Sequence, residues 1–130
     1  MDTPEPIDVD AAFEQLTFVP DRTPTSPDAE IAGAFARLAD TDAGAVFIAH
    51  YAGDSQWERH RAGDEYVSVV EGATEMTMIV DGAELTHEMT AGQFVIVPRG
   101  TWHRFHTPEG VKVMTITPQP TDHQVERPTD

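Results

Sequence analysis

The sequence predicts an all-β domain, a sandwich or barrel of short strands, and three observations carry that prediction. Runs with strand character recur at 45–52, 65–70, 73–80, 83–89, 93–97, 102–106 and 111–117. Turn-forming clusters such as Ala62-Gly63-Asp64 and Pro98-Arg99-Gly100 separate them, and this even spacing of short strands is the pattern of a closed or sandwiched sheet. Third, Asp81-Gly82 stands between Met76-Thr77-Met78-Ile79-Val80 and Ala83-Glu84-Leu85. It is a favoured dipeptide for a two-residue hairpin turn, in which both central residues need positive φ.

Three regions follow in chain order. Residues 1–27 hold five prolines (Pro4, Pro6, Pro20, Pro24, Pro27) around the apolar patch Phe13, Leu16, Phe18 and Val19, which predicts an extended arm with one docking segment. The patch needs a sheet face or a neighbouring subunit to cover it. Residues 28–117 form the barrel. Within it, 31–39 is compatible with two states: Ile31, Phe35 and Leu38 fit a helix begun by Ser26-Pro27, whereas Phe35, Arg37 and Ala39 fit an alternating strand joined to the next by Thr41-Asp42-Ala43-Gly44. The strand suits an all-β domain better. Residues 118–130, with Pro118, Pro120 and Pro128 among polar side chains, predict a flexible tail. Neither end is expected to carry chemistry.

Composition narrows the function. The chain has 130 residues, the size of one domain. No apolar run is long enough to span a bilayer, and residues 1–10 hold no basic n-region or apolar h-region, so a cytoplasmic protein without membrane contact is expected. The absence of cysteine removes disulfides, thiolate ligands and thiol nucleophiles. A formal charge of −15, from 23 acidic against eight basic residues, repels phosphate and argues against nucleic-acid binding. There is no nucleophile elbow, phosphate-cradling loop or dinucleotide fingerprint.

Imidazole and carboxylate are therefore the available metal ligands. Glu58 and His60, two apart on a strand, share a face. Glu65 begins the next strand after the Ala62-Gly63-Asp64 turn, and His103 follows the turn that closes 93–97. Neutral imidazoles offer lone pairs to a borderline cation while carboxylates cancel part of its charge; two histidines with one carboxylate suit iron(II) or manganese(II), and zinc or nickel bind such sets as well. The alternative is a surface ion pair of His60 with Glu65 and a turn histidine at 103.

The stretch Glu58-Arg59-His60-Arg61-Ala62-Gly63-Asp64-Glu65 through Gly72 resembles the first motif of the cupin family, with His60, Glu65 and Gly72 at matching spacing. The stretch Gly92-Gln93-Phe94-Val95-Ile96-Val97-Pro98-Arg99-Gly100-Thr101-Trp102-His103 is similar to its second motif. With the flanking strands the resemblance covers about 45–117. It implies a double-stranded β-helix, commonly dimeric, with one divalent metal ion (Fe, Mn, Zn or Ni) beside a small-molecule cavity. Three departures stand out: Glu58 occupies the first histidine position, Gly53 lies one residue nearer than the pattern has it, and Thr107 replaces a closing asparagine. Glu58 is then either a second carboxylate ligand or a neighbour of the ligands.

Trp57, Met76, Met78, Phe94, Thr101 and Phe105 are the candidates for lining the pocket, Phe105 and Thr101 because they share strand parity with His103; the alternative is that they fill the core. His106 is out of phase and expected at the rim, Tyr66 is expected to face away from Glu65, and His50, His87 and His123 have no partner at ligand spacing. Three functions are compatible with these residues: a metalloenzyme acting on a small oxygen-bearing organic substrate in the manner of a dioxygenase or isomerase, a binding or sensing module with or without metal, and a metal-free interaction protein.

Overall fold

The computed structural model describes residues 4–129; the first three residues of the expected arm and the last of the expected tail lie outside them. The elements run α1 (Val9–Glu14), β1 (Val19–Arg22), α2 (Asp28–Ile31), a 3₁₀ turn (Ala32–Ala34), β2 (Phe35–Asp40), β3 (Gly44–Asp54), β4 (Trp57–His60), β5 (Glu65–Val80), β6 (Ala83–Thr90), β7 (Phe94–Val97), β8 (His103–Pro118) and β9 (Thr121–Gln124).

Two 16-residue strands, β5 and β8, organise the barrel by pairing antiparallel from Tyr66↔Ile116 to Met78↔His103. Both bend midway, so each serves two facing sheets. In one, β7 flanks the start of β5 and β3 flanks the end of β8, with β2 and the parallel β1 beyond β3. In the other, β6 flanks the end of β5 and β4 flanks the start of β8, with β9 beyond β4. The result is the double-stranded β-helix that the family resemblance implies.

The bend has a local cause. Gly72 (φ 78°) and Gly110 (φ 140°) meet where the two strands turn together, and a Cβ on Gly72 would run into the Gly110 carbonyl oxygen. Register shifts at Val69/Glu71 and Gly72/Glu75 also change the parity of β5. Before them Glu65, Val67 and Val69 point inward; after them Met76 and Met78 do. A regular strand could not present both sets to one interior. At the far end of β5, Asp81 and Gly82 both have positive φ and Val80 pairs with Ala83, the predicted hairpin.

Both readings of 31–39 find a place: a helical turn ends at Ile31 and strand β2 begins at Phe35, joined to β3 through the predicted turn, in which Thr41 donates to the Gly44 carbonyl. The arm is not extended throughout. Asp8 caps α1 by accepting from the Ala11 amide, Phe13 is buried under Lys112, and Val19 packs against the core, so the apolar patch docks largely on its own chain. The tail is also corrected, because β9 pairs with β4 from Trp57↔Gln124 to His60↔Thr121, and Asp122 receives Arg59 and Arg61 at 2.9 and 2.8 Å. Backbone pairing to an otherwise open edge strand outweighs the polar composition that suggested disorder.

Apolar packing is split by the second sheet. The interior cluster includes Tyr51, Val67, Met76, Met78, Val97, Phe105 and Val113, while Trp57, Ile79 and Trp102 form a separate cluster roofed by Arg104 over Trp57 and Arg59 over Trp102.

Gly72→Ala should destabilise the protein by about 2 kcal/mol or more, because positive φ and a backbone collision add. Gly82→Ala has the same sign of φ but open space around its Cβ, so its cost should stay near about 1 kcal/mol. Denaturant unfolding of the two variants checks the ranking, and equal losses would show that the corner is not crowded.

Candidate metal centre

The two sheets bring three side chains together in the interior. Glu65 opens β5 in one sheet; His60 ends β4 and His103 opens β8 in the other. All three are buried, and their ligand atoms lie within 4.8 Å of one another. Oε1 of Glu65 is 3.2 Å from Nε2 of His60 and 3.0 Å from Nε2 of His103.

The outer contacts define what these atoms can hold. Nδ1 of His103 is 3.0 Å from the Thr101 carbonyl oxygen, which can only accept, so Nδ1 carries the hydrogen. In the neutral ring Nε2 then turns a lone pair toward an anionic oxygen. That contact is repulsive unless a proton or a cation lies between the atoms. His60 is held at Nδ1 by Thr121 Oγ1, 2.9 Å away, while its buried Nε2 and the buried Oε1 of Glu65 have no hydrogen-bond partner. The second oxygen of Glu65 is satisfied: Thr117 donates to Oε2 at 2.6 Å, which leaves the Thr117 oxygen to accept from Thr115 at 2.6 Å. Every distal atom is thus pinned, and the three inner atoms face one point. This is the arrangement of a two-histidine, one-carboxylate metal site with its outer supports, and the residues fit a divalent ion.

Without an ion, a proton does part of the same work. Burial alone would raise the Glu65 pKa, but His103 and His60, 3.0 and 3.2 Å from its Oε1 and able to carry a proton toward it, outweigh it and hold the carboxyl at about 2. Burial alone would lower His103, yet Glu65 raises it above its ordinary value.

Glu58 stands apart from the trio. It is the cross-strand neighbour of His103, and its carboxylate lies 3.6 Å from Nε2 of His123 on β9. The adjacent Glu58 carboxylate raises the pKa of His123, which was expected to have no partner at ligand spacing. The missed groups Thr115, Thr117 and Thr121 had different signals. Thr115 and Thr117 share the strand parity of His103, whereas Thr121 lies in the segment expected to be free.

A cavity of about 850 Å³ opens beside Glu65, walled by Tyr51, Phe105, Val113 and Ile48 from the barrel strands, Arg22 from the arm, Ile31 from α2, and Glu58 and His123. Of the six expected lining residues only Phe105 lines it. Met76 and Met78 fill the core, Trp57 packs in the Trp102 cluster, and Phe94 is 60% exposed and stacks on Tyr66 outside the sheet. Thr101 offers its carbonyl to His103 and does not line the cavity. The misplacements follow from the bulges in β5 and from a second apolar layer outside the barrel. His106 is exposed at the surface, paired with Asp54, and His50 packs tilted against Phe18, neither of them lining the cavity.

A family model described as Cupin domain matches residues 46–117, more than half of the chain, and the protein belongs to the cupin family. No curated protein matches the sequence. Among solved structures, a cupin-2 domain containing protein from Shewanella frigidimarina is similar over 87% of this chain and 94% of that one, at 20% identity and TM-score 0.61. Oxalate decarboxylase of Bacillus subtilis, described with Mn(II) centres, is similar over 61% of this chain and 23% of that one, at 18% identity and TM-score 0.56. Hydroquinone 1,2-dioxygenase PnpCD, described in complex with Cd2+ and 4-hydroxybenzonitrile, is similar over 65% of this chain and 63% of that one, at 14% identity and TM-score 0.55. At these identities the likeness is one of fold. Among the described residues no helix is long and apolar enough to cross a membrane.

Two outcomes are expected at this centre. Thr117→Val removes the donor to Glu65 Oε2 and should weaken divalent-metal affinity by about 10- to 100-fold, measured by competition with a fluorescent chelator; unchanged affinity would remove Thr117 from the support of the site. In chelator, the depressed Glu65 pKa gives stability that is present above roughly pH 4.5 and lost as pH falls toward about 2. The raised His103 pKa gives stability that is present below roughly pH 6.5 and lost as pH rises through the raised value. Metal replaces the His103 proton, so the rise in melting temperature on adding Mn2+ should grow with pH across the imidazole range, and a rise independent of pH would contradict the exchange.

Proposed function

We propose that this cupin is a metalloenzyme in which His60, Glu65 and His103 hold one divalent iron, manganese, zinc or nickel ion beside a cavity for a small oxygen-bearing organic substrate, with dioxygenase- or isomerase-type chemistry. The observation that carries this reading is the convergence of two buried Nε2 atoms on one carboxylate oxygen, with the opposite side of each group already hydrogen-bonded. Structural ion pairs do not need imidazoles locked on both sides.

When bound, the ion supplies Lewis acidity or a site for oxygen ligands. The chain's own residues do the rest. Phe105, Val113 and Ile48 give the cavity an apolar wall that limits water. Tyr51, whose pKa burial pushes up to about 12, stays a neutral hydrogen-bond donor at physiological pH. Glu58 with His123 is the titratable pair on the same wall, placed to take or give a proton at a bound substrate. The fold likeness to a decarboxylase and a dioxygenase is compatible with this chemistry. Glu58 in the position of a third imidazole, turned toward His123, favours a second reading, a binding module whose ion organises the pocket without turnover.

Elemental analysis of untagged protein purified without chelator tests the site. The parent should carry near-stoichiometric metal and the His103→Ala variant little; metal-free parent protein that stays so after divalent ions are offered would overturn the proposal. Turnover of a small acid or phenol under oxygen, lost in His103→Ala, would select the enzyme over the binding module.

A further inference from the structure

Arg22 is the cavity residue that neither the metal trio nor the barrel core uses. It ends β1, beside Gly53 of β3, and reaches the cavity wall from outside the family match. Its guanidinium lies 5.0 Å from the centroid of the Phe35 ring and 4.7 Å from that of Tyr51, two rings that are themselves near-parallel at 6.1 Å. Aromatic faces fix the plane of the guanidinium and strip part of its water, but they leave most of its in-plane N–H donors free. Among the described residues no carboxylate lies within ion-pair distance of Arg22, whereas Arg37, Arg59, Arg61, Arg104 and Arg127 each have one.

The segment after Arg22 is built to hold this wall. The Thr23 amide donates to Ser26 Oγ at 2.8 Å, and Gln56 donates to the Pro24 carbonyl at 2.8 Å. Thr23, Pro24, Ser26 and Ile31 then line the cavity with Arg22. In a protein of charge −15, an arginine fixed on two rings at a cavity without its own carboxylate is an unmet anion receptor.

We propose that Arg22 is the substrate-recognition residue of the cavity and that it selects small organic monocarboxylates, binding the carboxylate through its fork while the rest of the molecule lies along Phe35 and Tyr51. The class follows from charge: Arg22 and Arg37 line the same space as Glu58, Asp28 and Glu65, and Arg37 is already paired with Asp40, which leaves one arginine to receive a single negative charge and disfavours a phosphate dianion. The inference deepens the metalloenzyme reading and rests on it only for what happens after binding.

The test is calorimetric titration with acetate, propionate, pyruvate and benzoate, each beside its neutral amide, and with inorganic phosphate. It is run on Mn2+-loaded and on chelator-treated protein, for the parent, Arg22→Gln and Arg22→Lys, with far-UV circular dichroism and bound metal recorded for each. At least one carboxylate should bind the parent about ten-fold or more tightly than its amide, with or without metal. Arg22→Gln should abolish the preference while keeping its metal, and Arg22→Lys should restore part of it. The inference fails if no carboxylate outbinds its amide, if phosphate binds more tightly than every carboxylate, or if the preference survives Arg22→Gln. Should Arg22→Gln not fold, Arg22→Lys decides, since loss of the fork must weaken binding. A carboxylate preference in protein that never takes up metal would sink the metalloenzyme reading alone; bound metal without a preference would sink this one alone.

Discussion

The structure depends on one buried contact: a carboxylate on one sheet facing two imidazoles on the other. Glu65 is placed by the start of β5, and His60 and His103 by the end of β4 and the start of β8, so the three groups approach only after both sheets have closed. Leaving such a carboxylate uncompensated would cost several kcal/mol. Thr117 on one side and the imidazoles on the other supply the compensation, and a divalent cation shared among the inner atoms would complete it. The interior of the barrel is therefore organised around charge as much as around apolar area.

The shape that permits this contact comes from the common bend of β5 and β8. Straight strands would make one open sheet with a single face. Bending at Gly72 and Gly110 turns each strand into a corner, and the bulges that accompany the bend let one strand supply Glu65 to the site and Met76 and Met78 to the packing behind it. The same geometry fixes where substrate can lie. Strands close the barrel around the metal trio, and the remaining opening is walled by pieces from both chain ends, Arg22 to Ile31 and Thr121 to His123.

That division of labour has a functional consequence. The ligands sit in the segment shared with the family, whereas Arg22 and His123 lie outside the matched 46–117. The barrel thus supplies the buried trio, whereas the arm and tail supply part of the cavity wall and, through Thr121, one support of His60.

Much of this was legible along the chain. The spacing from His60 to Glu65 and the run from Gly92 to His103 marked the ligands, Asp81-Gly82 marked the hairpin, and alternation marked Phe105 as inward-facing. Alternation misled at Thr101, which lies before β8 begins, and apolar character misled at Trp57, Met76, Met78 and Phe94, because it does not distinguish a cavity wall from the core or from a second apolar layer on the outer face. The tail was misread for a related reason: a four-residue strand between prolines has no periodicity to detect, and its order comes from the free edge of β4. What the sequence by itself determined is local: strand lengths, turn chemistry, and which residue types could bind a metal. Tertiary structure alone decided that Glu65 meets imidazoles from the opposite sheet, that Glu58 turns to His123, and that Arg22 stands over the cavity, since all of these contacts but that of Glu65 with His60 join residues tens of positions apart, and all exist only when the barrel has closed.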